Sequence, residues 1–209
     1  MGYGFLDIAV TPSVKAVQAQ MGVDHVWQDF KGHREFNEFG ENEAAFIADR
    51  DSFYMATVSQ TGWPYIQHRG GPKGFLKVLD AHTLDFADYR GNRQYISTGN
   101  LAADDRVCLF LMDYPKRARL KIYAHVETVD LGDDPQLAET VAVGGYKAKL
   151  ERAFRMRLEA FDWNCPQHIT PRFTEREIME AVRPLQNRVA ELETENAALR
   201  ARLNPTGDV

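Results

Sequence analysis

Hydrophobic and polar residues change their rhythm repeatedly along this chain. Over residues 1–40 no period emerges: Trp27, Phe30, Phe36 and Phe39 are scattered among charges, the pattern of an irregular arm laid on a surface. Glu41 to Arg50 gathers Ala44, Ala45, Phe46 and Ile47 on one side of a short helix. From Ser52 the period becomes two: Phe53, Met55, Thr57 and Ser59 alternate with Tyr54, Ala56 and Val58, which predicts a strand. Gln60-Thr61-Gly62 has turn chemistry, and Pro64 to His68 restarts an extended run. After the break Arg69-Gly70-Gly71-Pro72-Lys73-Gly74, short strands are expected at Phe75–Leu79 and Thr83–Asp88. Asn92 to Ala102 reads as a helix capped by Asn92, and Arg106–Asp113 and Leu120–Asp130 as strands. Gly132 to Pro135 opens a short helix that Gly144-Gly145 should end. Phe154, Met156, Leu158 and Ala160 alternate with Arg155, Arg157 and Glu159, predicting a strand with one wet face despite good helix formers. Many strands and few helices point to a small closed β-barrel, mainly β with α.

Residues 174–203 follow another rule. Thr174 and Glu177 form a capping-box pattern. Val182, Val189, Asn196 and Leu203 occupy one heptad core position, and Ile178, Leu185, Leu192 and Leu199 the other. Valine at the first, leucine at the second and a single asparagine favour a parallel two-stranded coiled coil. An amphipathic helix folded back on its own barrel is the alternative. Pro184 predicts a kink or a helix start at that point, since proline inside a helix costs about 3 kcal/mol. The domains expected are therefore an arm (1–40), a barrel (41–173) and a heptad helix with a tail (174–209).

Composition narrows the function classes. The 209 residues are 44% hydrophobic and 26% charged, values of a globular chain. A net charge of -5 argues against a nucleic-acid binder built on bulk positive charge. The longest apolar run, Val107 to Met112, falls far short of the about 20 residues of a membrane span. Neither the first residues nor the two cysteines, Cys108 and Cys165, suggest secretion, a disulfide framework or a cysteine zinc site. A cytoplasmic protein without membrane or nucleic-acid partners is expected.

Four stretches carry candidate chemistry. Ala87-Asp88-Tyr89-Arg90-Gly91-Asn92-Arg93-Gln94 places an arginine at an expected helix N-terminus, where unpaired N–H groups favour phosphate; an arginine merely solvating that turn is the plain alternative. Gln67-His68-Arg69-Gly70-Gly71 sets a second arginine beside glycines that allow backbone to approach a ligand. Arg119 and Lys121 share one strand face, which is usually wet. Phe161 to Pro171, with Trp163, Cys165 and His168, could close over a planar ligand or plug a barrel end. No HExxH, GxSxG or zinc-ligand spacing occurs, and nothing marks Cys165 and His168 as a nucleophile and its base.

Taken in order, SFYMATVSQTGWPYIQHRGG, TLDFADYRGNRQYISTGNL and RVCLFLMDYPKRARLKIYAHVE resemble the pyridoxamine 5'-phosphate oxidase-like flavoproteins, with the FMN-binding split-barrel fold. The resemblance covers roughly residues 40–170, and FDWNCPQHITPRF resembles an uncharacterised FMN-binding subgroup rather than the oxidase itself. It implies FMN contacts at Gln67, His68, Arg69, Ala87 and Asp88. The family's Ser-Arg-Lys phosphate signature resembles Asn92-Arg93-Gln94, where Gln94 replaces the lysine, so Arg69 or Lys121 would supply the missing cation. Arg119 lies near the family's glutamine, and Trp163 is a candidate cover for the flavin. The family also implies a homodimer with FMN between protomers and redox chemistry on a small organic substrate. A non-catalytic flavin or haem module, a deazaflavin protein and a dimeric assembly platform are the alternatives. The oxidase's arginine–histidine substrate signature is missing, and Arg202-Leu203-Asn204-Pro205 falls at the end of the heptads, so oxidation of vitamin B6 is not expected.

Overall fold

In the computed structural model the structure is described for residues 4–28, 37–163 and 166–203. They fall into two compact units, Met1–Asp113 with Arg117–His168, and Tyr114–Lys116 with Ile169–Val209. The expected irregular arm is instead helical in part: α1 (Phe5–Ala9), α2 (Pro12–Gln20) and α3 (Asp24–Gln28). Local chemistry starts two of them. The Asp7 carboxylate accepts from the Gly4 N–H at 2.9 Å, and Thr11 caps a helix that opens on Pro12. Phe36 and Phe30 lie outside the described residues.

The first unit is organised by one antiparallel sheet. Its strands are β1 (Ser52–Val58), β2 (Pro64–Gly70), β3 (Leu76–Val78), β4 (Thr83–Tyr89), β5 (Arg106–Asp113), β6 (Ala118–Val129) and β7 (Leu150–Trp163), in the order β2-β1-β5-β6-β7-β4-β3. The sheet curls into a split barrel, as the resemblance implied; the closed barrel expected from the strand pattern is not formed, because β2 and β3 end the sheet without pairing. Its inner face carries the β1 residues Phe53 and Met55, Leu109 and Leu111 of β5, Leu120 and Ile122 of β6, and Phe154 and Met156 of β7, all essentially inaccessible. Phe86 of β4 sits among three rings, 5.2 Å from Phe53, 5.2 Å from Phe154 and 6.4 Å from Phe75. Removing such a ring from a packed core costs about 3–5 kcal/mol.

Turns and edges follow from residue type. Gly62 takes a left-handed φ of 86°, closing the β1–β2 hairpin with its N–H on the Ser59 carbonyl. Gly71 is required by contact: a Cβ there would lie 2.7 Å from Cγ of the core ring Phe75. The two outermost strands are blunt, since β2 opens on Pro64 and β3 has only three residues. The helix α4 (Glu41–Ala48) is tied to the end of β5 by Arg50, which bonds the Met112 carbonyl (2.9 Å), Asp113 (2.8 Å) and the helix's own Phe46 carbonyl (3.1 Å). Two more helices complete this unit, α5 (Ile96–Leu101) and α6 (Pro135–Val141), the latter covering Ala87 and Ala153 with Leu137 and Val141.

The second unit contains α7 (Glu175–Leu203), a single 29-residue helix that continues through Pro184. The expected kink or start at Pro184 is not a boundary here; proline removes one N–H donor while the remaining turns stay bonded. Thr174 and Glu177 form the predicted capping box, with the Glu177 carboxylate on the Thr174 N–H at 2.7 Å and the Thr174 hydroxyl accepting from the Glu177 N–H at 3.3 Å. Among the described residues, no helix is long and apolar enough to cross a membrane.

Candidate functional site

Strand parity sends the residues of β2 to opposite faces. Arg69 pairs in register with Phe53 and Gln67 with Met55, both core residues, so Arg69 and Gln67 point inward. Gln67 accepts a 2.8 Å bond from the Ser97 hydroxyl at the start of α5. His68 takes the other face, edge-on to Tyr54 at 5.6 Å. Arg69 reaches across to β4, and its Nη1 lies 2.7 Å from Asp88 Oδ1. These two strands are not neighbours in the sheet, so the ion pair spans a gap that no backbone ladder closes.

The pair belongs to a longer chain of charges. Asp88 is in register with Arg152 of β7, whose Nε stands 3.4 Å from the second carboxylate oxygen. Arg152 also lies over the Tyr95 ring at 5.0 Å and 3.5 Å from Glu151. Glu151 in turn holds Arg90 at 2.8 Å and the Tyr95 hydroxyl at 3.1 Å, so it grips both ends of the 90–95 loop. Burial pushes the Arg69 guanidinium down and the Asp88 carboxyl up, against their mutual attraction. The bond from Arg90, with that from Tyr95, holds Glu151 below the usual carboxylate range.

The 90–95 loop corrects one expectation. The helix starts at Ile96, not at Asn92, so Arg93 is not at a helix N-terminus. Asn92 does act as a local cap, but of a turn: its Oδ1 accepts from the Gln94 N–H at 3.1 Å. Arg93 (φ 61°) and Tyr95 (φ 52°) are both left-handed, which costs about 1–3 kcal/mol each and is typical of ligand-clamping segments. A bulge between Asp88 and Tyr89 re-aims the strand into this loop. A second expectation also changes: Gly71 admits Phe75, a core ring, rather than a ligand.

The remaining candidates sit elsewhere. Ala87 is buried beneath α6. Arg119 and Lys121 lie on the outer face of β6, half-buried rather than wet; Lys121 is 2.9 Å from Asp162 and 4.6 Å from the Phe5 ring. Trp163, at the opposite end of β7 from Arg152, donates from Nε1 to Glu43 at 2.7 Å and stands edge-on to Phe46. One chain therefore brings Gln67, Arg69, Asp88 and the Asn92–Gln94 loop to one end of the barrel, and leaves Arg119, Lys121 and Trp163 apart from them. Cys165 lies outside the described residues, and among the described residues no three side chains are set to hold a metal ion.

Arg152, Glu151, Arg90 and Tyr95 were missed by sequence reasoning. Arg152 had a signal, since it shares parity with Phe154, Met156 and Leu158 and so is a charge at a core position. The donor set fits an anion. Three guanidinium groups (Arg69, Arg90, Arg152) joined to two carboxylates (Asp88, Glu151) leave a surplus of one positive charge, and the exposed Arg93 stands on the adjoining loop. The buried Nε of Arg69 makes no hydrogen bond, and neither does the buried Tyr89 hydroxyl. A phosphate would meet that positive surplus and supply acceptors.

Residues 39–162 match the family model described as pyridoxamine 5'-phosphate oxidase. No curated protein matches the chain. Solved structures similar to it include HupZ of Group A Streptococcus (14% identity, 65% of this chain and 99% of that one, TM-score 0.49). Another is an FMN-binding protein of Syntrophomonas wolfei subsp. wolfei (12%, 73% and 95%, TM-score 0.46). A third is a protein of Clostridium acetobutylicum related to general stress protein 26 of B. subtilis (15%, 66% and 94%, TM-score 0.44).

Proposed function

The chain belongs to the pyridoxamine 5'-phosphate oxidase family, and on that premise we propose that it is a cytoplasmic FMN-binding oxidoreductase acting on a small organic substrate. The observation that carries this reading is the arginine chain at the β2–β4 gap, with its positive surplus and the unpartnered Nε of Arg69. Arg93 and Arg69 anchor the phosphate. Arg152 is the added cation that makes good the lysine replaced by Gln94. Gln67 and the backbone around Ala87 and Asp88 orient the ring system. Bound FMN supplies hydride or electron transfer, and the protein supplies binding, orientation and exclusion of water.

Arg119 and Lys121, with His68 of the outer face, complete the site from the other copy of a homodimer, whereas Trp163, in register with Leu120, packs on its own core. The outer face of the β1–β2 hairpin supports that pairing. It exposes Tyr54, Val58, Trp63 and Ile66, the last at 64%, an apolar group that a second copy would cover.

The test is the visible absorption spectrum of the purified full chain with mass analysis of the released ligand. About one FMN per chain supports the reading. A haem Soret band, a deazaflavin mass, or no chromophore after incubation with excess FMN overturns it.

A further inference from the structure

The barrel chemistry leaves α7 unused. None of its residues is buried within the chain, and the seam residues Ile178, Leu185, Val189, Leu192, Leu199 and Leu203 are 44–79% exposed. Such a stripe along a single helix is poorly stable in water, because most helical stability comes from packing an apolar face. The regular four–three spacing makes it narrower than the face of a globular helix and suits a two-stranded seam.

We propose that α7 is the docking surface for a second copy of itself, forming a parallel, in-register two-stranded coiled coil over residues 178–203. Orientation is fixed by Asn196. In a parallel pair each core position meets its own copy, so Asn196 meets Asn196 of the second copy and the two amides bond each other. In an antiparallel pair the same position faces leucine or isoleucine and the amide is left without a partner in an apolar layer.

Register is fixed by charge. In register, Arg188 faces Glu193 of the second copy and Glu195 faces Arg200, so both pairs attract. A slip of one heptad, equivalent in either direction for two identical helices, sets Arg188 against Arg200 and Glu195 against Glu193. The slip also moves Asn196 onto Val189 and Leu203. Arg188 now holds Glu191 of its own helix at 3.0 Å, an exposed contact that is easily exchanged. This pairing is separate from flavin binding, since no seam residue belongs to the arginine chain.

The test uses the full-length protein with Cys108→Ser and Cys165→Ser as background. Val182→Cys, Asn196→Cys and Leu203→Cys are made singly, with Ala201→Cys as an outward-facing control, and each is oxidised mildly. All three seam variants are expected to form disulfide-linked dimers while Ala201→Cys does not. Adding Leu192→Asp should abolish linkage at 196 without changing flavin content. Linkage at the seam positions no greater than at Ala201→Cys overturns the pairing. Linkage at 196 without linkage at 182 and 203 overturns the parallel register. Because the three positions are independent, one misfolded variant leaves the others decisive.

Discussion

Replacing Asp88 by asparagine isolates the charge that holds Arg69 and Arg152 together. The substitution keeps shape and removes the one carboxylate that, among the described residues, touches Arg69, whose side chain is 12% exposed. Burial already opposes ionisation of both partners, raising the Asp88 carboxyl and lowering Arg69. A buried pair of this kind contributes little net stability as a whole, yet removing one side costs about 3–5 kcal/mol by stranding the other charge. At about 2–4 °C per kcal/mol for a chain of this size, Asp88→Asn should lower Tm by about 6–20 °C. The double variant Arg69→Met/Asp88→Leu should lie nearer the wild type, because Arg69 is no longer stranded and Arg152 keeps Glu151. Inorganic phosphate or FMN should raise the Tm of Asp88→Asn more than that of the wild type, since the variant carries one more uncompensated cation. Circular dichroism melts of the full chain, with and without phosphate, measure all three. An Asp88→Asn loss below about 1 kcal/mol would refute the stranded-charge argument. Equal stabilisation of both proteins by phosphate would refute the assignment of these arginines to an anion.

Three further outcomes are expected. Arg93→Ala should weaken FMN by about tenfold to a hundredfold, the worth of a charge-assisted contact, and unchanged affinity by fluorescence titration in a folded variant removes that anchor. Arg106, through side-chain and backbone N–H bonds, holds the Asp104 carboxyl at about 2; because this folded value lies below the ordinary one, the contribution is present above about pH 4 and is lost as pH falls toward 2. Arg106→Ala should return the Asp104 NMR titration midpoint toward 3.8, with little change in Tm for so exposed a pair. Pro184→Ala should raise the thermal stability of α7 by up to about 3 kcal/mol, read as retained helical circular dichroism at higher temperature, and no gain would mean the helix is already relieved at that residue.

The strands were legible because parity survives composition. β7 is rich in Arg, Glu, Leu and Met, good helix formers, yet its period of two marked it correctly, and only its length was underestimated. Contacts far apart in sequence were not legible. The arm's first helix depends on Phe5 stacking on Tyr123 at 4.4 Å, which no local pattern announces. Asn92 misled because one side chain can cap a turn or a helix, and the choice was made by the left-handed residues Arg93 and Tyr95. Of the arginines at the β2–β4 gap Arg69 was visible and Arg152 was not, and their sharing of Asp88 follows only from how the sheet curls. The lesson from Arg152 is general: a charge on the apolar parity of a strand is worth following.

The blunt ends of the sheet have a bearing on how copies of this protein meet. A sheet that ends on a long bare strand invites another chain to extend it, and such growth has no natural stop. Here one end begins with Pro64, which offers no N–H, and the other is three residues long. The three-residue strand gives a further strand little to template on, whereas Pro64 removes a single donor from the seven-residue edge of β2. Growth along the sheet is thereby blocked most firmly at β3, the margin with the fewest free backbone groups.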